Sequence, residues 1–138
     1  MLEKSLPPDF DPNSQPDVRI SAISASSVQL LRSLGVWDAV LAMRAHPWRR
    51  LETWEWQTAH VVFDASELNM VENNVLQLAL WQALETHPQV ALLHGTSLDE
   101  MRAEGDSHVL QLDDDRQVAA RLVVGADGAL SQVRQQAG

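Results

Sequence analysis

Cysteine is absent from the 138 residues, which excludes disulfides, thiolate metal sites and a thiol nucleophile. Positive charge is scarce, since 10 Lys and Arg stand against 19 Asp and Glu for a net charge of −9. A surface that acidic repels phosphate backbones and anionic lipid, which argues against nucleic acid as a partner. No apolar run approaches the roughly 20 residues that span a bilayer. Met1-Leu2-Glu3-Lys4 lacks the basic start and apolar core of a signal peptide. The expected location is therefore cytoplasmic, with peripheral contact at the inner membrane left open. His46, His60, His87, His94 and His108 show no H-x-x-x-H spacing, so no metal is expected. Asp113-Asp114-Asp115 lacks the glycine and distal Glu of a calcium loop and reads as a solvated hairpin tip. Neither a G-x-S-x-G elbow nor a phosphate-binding P-loop occurs, which removes the commonest hydrolase and NTPase readings. No internal repeat is visible.

What is present suits a folded domain, with 45% hydrophobic residues. Four prolines between Pro7 and Pro16 forbid helix and disfavour an inner strand, so this stretch is expected to be an extended loop. Val28, Leu31 and Leu34 fall on one helical face over 26–34, with serines to cap it and Gly35 at the C′ position. A short helix follows over 36–43, and a longer one over 72–85 carries the stripe Leu76, Leu80, Ala83 and Leu84. Residues 51–64 alternate as a hairpin, with Trp54 and Trp56 on one face, rings that ordinarily cover a sheet against a neighbouring layer. Strands are expected over 90–94 (parallel type), 97–104, 108–112 and 117–124. Within the last of these, Leu122-Val123-Val124 reads as an inner strand buried on both faces. The two longer helices are expected to pack on the sheet holding 90–94 and 117–124.

The most informative stretch is Gly125-Ala126-Asp127-Gly128-Ala129-Leu130-Ser131-Gln132-Val133-Arg134. Strand, glycine turn carrying one Asp, then a helix start capped by Ser131 is a geometry suited to a dinucleotide. Free N–H groups at the helix start would face a pyrophosphate, and a carboxylate can accept from a ribose hydroxyl. A plain strand–helix turn explains a bare G-A-D-G equally well. Glu3 has two readings as well: a frayed terminus, or the ribose-binding Glu at the end of a second dinucleotide-fold strand.

The longer string resembles the G-A-D-G-x-x-S-x-V-R signature of the FAD-dependent aromatic hydroxylases, the group A flavoprotein monooxygenases. Asp17 to Ser24, Leu51 to Glu55 and Val71-Glu72-Asn73 are most similar to their ubiquinone-biosynthesis branch. The resemblance implies an α/β fold, a partial FAD/NAD(P)-binding Rossmann-like domain with an inserted antiparallel hairpin. Residues 1–50 and 70–138 would form the FAD-binding part and 51–69 the substrate-domain hairpin. It implies FAD as cofactor and NAD(P)H as electron donor. Its substrate would be a polyprenylated benzoquinol, hydroxylated by a flavin C4a-hydroperoxide, with contact to the membrane or a ubiquinone-biosynthesis complex left open. By the same resemblance Glu3, Arg19, Asn73, Gly125, Asp127, Gly128 and Arg134 would bind cofactor, and no residue of the chain would be catalytic in its own right. Taken without it, Arg19 is a solvated loop residue and Asn73 an ordinary helix-start polar residue. The pattern also departs from the family, because G-x-G-x-x-G is missing, as is the later Gly-Asp segment. The chain is therefore expected to be an internal piece of a roughly three-times-longer enzyme, silent alone because a flavin site needs convergent groups from every part. The competing expectation is a non-catalytic acidic α/β remnant or partner-binding module.

Overall fold

A serine opens the first helix and a glycine closes it. Ser24 is extended (φ −71°, ψ 159°) and its hydroxyl accepts from Ser27 N at 3.3 Å. At the other end Gly35 takes φ +70°, its N–H reaches Arg32 O, and Val36 N–H reaches Leu31 O. This paired closure needs a left-handed residue, and it brings buried Val36 onto buried Leu31. The computed structural model describes residues 1–56 and 58–138, and of residues 65–67 the backbone alone. In chain order the elements are β1 (Leu2–Glu3), β2 (Ile20–Ile23), α1 (Ala25–Ser33), α2 (Trp37–Met43), β3 (Ala45–Glu55) and β4 (Ala59–Glu72). There follow α3 (Asn73–Glu85), β5 (Leu93–His94), β6 (Leu98–Glu104), β7 (Ser107–Leu112), β8 (Gln117–Ala120) and α4 (Gln132–Ala137). They fall into two compact units, Pro7–Gln89 and Met1–Leu6 with Val90–Gly138. This division follows packing and differs from one drawn between FAD and substrate parts.

In the unit 7–89, β4 is the central strand, antiparallel to β2 on one side and β3 on the other. Pro47 is tolerated because β3 is an edge. Val28, Leu31, Val36, Trp37 and Val40 pack with Ile23, Val71, Val75 and Ala79 into the core. The expected helices are present, but their buried faces are shifted. Leu34 is exposed, and α3 buries Val75, Ala79 and Trp81 most deeply, with Leu76, Leu80 and Ala83 at the margin. The hairpin is also longer than expected. Residues 65–70, read as a connection, belong to β4, which runs to Glu72 and is held extended over 68–72 by pairing with β2 and β3. At its far end Trp54 and Trp56 are 71% and 90% exposed, so among the described residues these rings cover no neighbouring layer. The core contacts gather at the other end of the hairpin, around Ala45 and Val71.

In the unit formed by 1–6 and 90–138, β1 and β5 pair in parallel, Leu2 with Leu93 and Glu3 with His94. β6, β7 and β8 form an antiparallel meander. Leu98, Leu110 and Leu112 are its core, covered in part by Leu2, Leu93, Val118, Val123 and Val133. The expected inner strand over 117–124 is corrected here. β8 ends at Ala120, lies at the edge of the meander, and leaves Leu122 77% and Val124 76% exposed. The run was apolar enough for a strand buried on both faces, but among the described residues no strand pairs with 122–124 and only Val123 turns inward. The packing of α1 and α3 is corrected likewise, since their core is built with α2, β2 and β4.

Candidate functional site

The glycine turn after β8 is built around one carboxylate. Asp127 Oδ1 accepts from the Ser131 hydroxyl, and Oδ2 accepts from Gln132 N at 2.7 Å and Val133 N at 3.2 Å. Ser131 Oγ in turn accepts from Arg134 N at 3.0 Å, and Ser131 O from Gln135 N at 3.3 Å. The Ser131 hydroxyl and then the backbone N–H groups hold the Asp127 carboxyl below the usual carboxylate range. The N–H groups expected to be free for a pyrophosphate are thus occupied by the chain's own side chains, which corrects that reading of the helix start. The cause is sequence spacing: an Asp four residues before the Ser cap reaches the first turn from outside. The glycines serve the same geometry. A Cβ on Gly125 would lie 3.0 Å from Val133 Cβ and Cγ1, and Gly128 takes φ +82° in open space. Arg134 Nη2 donates to Ala129 O at 2.8 Å, closing the turn from its far side.

Glu3 lies at the C-terminal end of β1, half-buried, in a parallel pair with β5. Its Oε1 accepts from Ser5 N at 3.0 Å, which leaves carboxylate lone pairs for a further donor. It belongs to the same unit as Gly125, Asp127, Gly128 and Arg134.

Arg19 and Asn73 belong to the other unit, where the structure joins them. Asn73 N donates to Arg19 O at 2.9 Å, and Asn73 Oδ1 accepts from Ser21 Oγ at 2.6 Å. That leaves the Asn73 amide NH2 and the exposed Arg19 guanidinium without a hydrogen-bond partner among the described residues. Asp17, not among the expected cofactor residues, fixes the approach: Oδ1 accepts from Arg19 N at 2.9 Å and Oδ2 from Asn74 Nδ2 at 2.8 Å. The Arg19 N–H, then the Asn74 amide, hold its carboxyl below the usual range. The signal that could have found it is local, an Asp two residues before Arg19, spaced for a side chain to bond the backbone two residues on. A cation and an amide donor are groups that pair with a phosphate diester, whereas Glu3 offers an acceptor to a hydroxyl. Among the described residues no cluster of His, Cys, Asp and Glu is arranged to hold a metal.

Comparison with known proteins gives the arrangement a context. The FAD binding domain family matches residues 11–138. The chain is 60% identical, over its whole length, to 37% of the 3-demethoxyubiquinol 3-hydroxylase of Escherichia coli. It is 35% identical over 134 residues to the mitochondrial ubiquinone biosynthesis monooxygenase COQ6 of Mus musculus, covering 87% of this chain and 28% of that protein. Among solved structures, the flavin-dependent monooxygenase PieE in complex with FAD and substrate superposes with TM-score 0.69 at 17% identity, over 99% of this chain and 27% of that one. The Diels-Alderase PyrE3 superposes equally well, with TM-score 0.72 at 22% identity, over 99% of this chain and 28% of that one. At such identities the structures establish the α/β fold of FAD-dependent monooxygenases, and the second shows that this fold alone does not fix the chemistry. The chain spans little more than a third of the length of its E. coli relative and less than a third of the mouse one.

Proposed function

From the premise that this chain belongs to the FAD binding domain family, we propose that it supplies part of the nucleotide site of an FAD-dependent monooxygenase hydroxylating a polyprenylated benzoquinol in ubiquinone biosynthesis. The observation that carries this reading is the 60% identity to the E. coli hydroxylase along the whole chain. The residues fit the cofactor in part. Arg19 and Asn73 present a cation and an amide donor for the pyrophosphate, and Glu3 an acceptor for a ribose hydroxyl. Gly125 and Gly128 keep side chains off the turn, and Asp127 makes that turn rigid. The remaining donors of Arg134 are available beside it. The helix start itself does not fit, because its N–H groups are already bonded.

FAD, reduced by NAD(P)H, would supply the electrons and the oxygen chemistry. The chain's own part is binding and orientation: Arg19 neutralises phosphate charge, Glu3 fixes the ribose, and the glycine turn sets how closely backbone approaches. A polyprenyl tail gains about 0.8 kcal/mol per buried CH2 in a bilayer, so the substrate would be met at the membrane surface. Among the described residues no helix is long and apolar enough to cross one.

The test is a chimera in which this chain replaces the matching segment of the E. coli enzyme. It should purify yellow and restore quinol hydroxylation to cells lacking the native enzyme. A folded, colourless chimera would count against the nucleotide site, and a yellow but inactive one against the substrate assignment.

A further inference from the structure

Loop 7–16 has no regular structure, yet it leads directly into Arg19, and one ion pair on a buried carboxylate holds it. Arg44, the residue after α2, donates from Nη1 to Glu72 Oε1 at 3.0 Å. Its Nη2 lies 3.3, 3.2 and 3.0 Å from the carbonyl oxygens of Asp11, Pro12 and Ser14. The guanidinium also stacks over the Phe10 ring, 5.2 Å from its centroid. Glu72, 7% exposed at the end of β4, uses its second oxygen to accept from Asp17 N at 2.8 Å. Asp17 then accepts from Arg19 N, and the residue after Glu72 donates its N–H to Arg19 O.

Arg19 is thus gripped at both its N–H and its C=O, while its guanidinium is left exposed. A carboxylate with both oxygens used, buried beside a cation that gathers three carbonyls, exceeds what a solvated loop requires. Four prolines remove backbone donors that the loop could otherwise use to hold itself, so its position depends on this side-chain clamp. We infer that Arg44 and Glu72 are positioning residues, which fix the backbone of Asp17–Arg19 so that the Arg19 guanidinium is presented to the cofactor phosphates. The inference rests on the proposal that Arg19 contacts FAD.

The test uses the FAD-binding chimera and measures the Kd for FAD in four variants: Arg19→Ala, Glu72→Gln, Arg44→Lys and Arg19→Ala/Glu72→Gln. Glu72→Gln keeps the volume but turns an amide toward either Asp17 N or Arg44. Arg44→Lys keeps the charge and loses the fork that spans the pair and the carbonyls. Each single variant should weaken FAD roughly tenfold, the middle of the coupling range for residues in one hydrogen-bond network. The double variant should bind no more weakly than Arg19→Ala, because Glu72 acts only through Arg19. Additive losses would overturn the inference and make the pair a general support of the fold. Unchanged Kd in both Glu72→Gln and Arg44→Lys, with Arg19→Ala weakened, would overturn it while leaving the Arg19 contact standing. An unaltered Kd in Arg19→Ala would remove the contact and the inference together. If Glu72→Gln fails to fold, Arg44→Lys alone and combined with Arg19→Ala gives the same cycle.

Discussion

Asp127 has two oxygens and three donors of the chain's own, and this decides how its turn should be altered. The sequence offered two readings for it, an acceptor for a ribose hydroxyl or part of a plain strand–helix turn, and in the structure it bonds the backbone N–H groups of that turn. Proximity in sequence made that legible. The link from Glu72 to Asp17 was not, because it spans 55 residues and no local pattern carries it. The two glycines of the turn should respond differently to a methyl group. Gly128→Ala places a side chain at φ +82° in open space, where left-handed backbone costs about 1–2 kcal/mol. Gly128→Asn should restore part of that loss, since Asn tolerates the left-handed region. Gly125→Ala meets Val133 at 3.0 Å and should cost about 1–3 kcal/mol as overpacking, with no recovery in Gly125→Asn. Urea unfolding of the four variants checks the pattern; equal losses at both positions would refute it.

Among the elements, those specified by local chemistry were legible and those specified by partners were not. α1 was readable from its serines, its apolar spacing and Gly35, and β6 and β7 fall within the strands expected over 97–104 and 108–112 to within a residue. The inner half of β4 was not, because Leu68-Asn69-Met70 carries no strand alternation and is held extended by β2 and β3. Residues 122–124 were over-read, since apolar composition marks a tendency to be buried, not the presence of a partner strand. Two turns share a chemistry with a consequence for acid stability. Asp113 is held below the usual carboxylate range by the Ser97 hydroxyl and N–H, Asp114 by the Arg116 side chain, and Asp127 by Ser131. A carboxyl whose folded pKa lies below its unfolded value, about 3.9, stabilises fully above that value. The contribution disappears as pH falls through the folded pKa. The melting temperature of the chain should therefore drop as pH is lowered from 5 toward the usual carboxylate range, about 4, and below it. The triple variant Asp113→Asn/Asp114→Asn/Asp127→Asn should be less stable at pH 7 and show a shallower acid limb. A triple variant with an unchanged acid limb would show that other groups govern it.

At the scale of the whole molecule, the proposed nucleotide contacts are divided. Arg19 and Asn73 lie in one compact unit, and Glu3, Gly125, Asp127, Gly128 and Arg134 in the other. FAD carries a pyrophosphate, and the 138 residues have a net charge of −9, so unspecific attraction works against its binding. The usual compensation is a helix start presenting several N–H groups to the phosphates. In α4 those groups are bonded to Asp127 and Ser131. The G-x-G-x-x-G that would supply a second such start is not in the sequence. What is left for the pyrophosphate in the unit 7–89 is Arg19 with Asn73. Single charge-assisted bonds contribute roughly 1.5–3 kcal/mol each. Immobilising a ligand costs an estimated 4–15 kcal/mol. Two or three such bonds fall within or below that cost, so the isolated chain should purify colourless, and FAD should not remain with it through gel filtration. The E. coli chimera, which restores the rest of the relative's length beyond the matched 37%, should retain the cofactor through the same column. Flavin absorbance co-eluting with the isolated chain at unit stoichiometry would show that these 138 residues hold a complete pyrophosphate site. It would also place that site on groups other than the helix start.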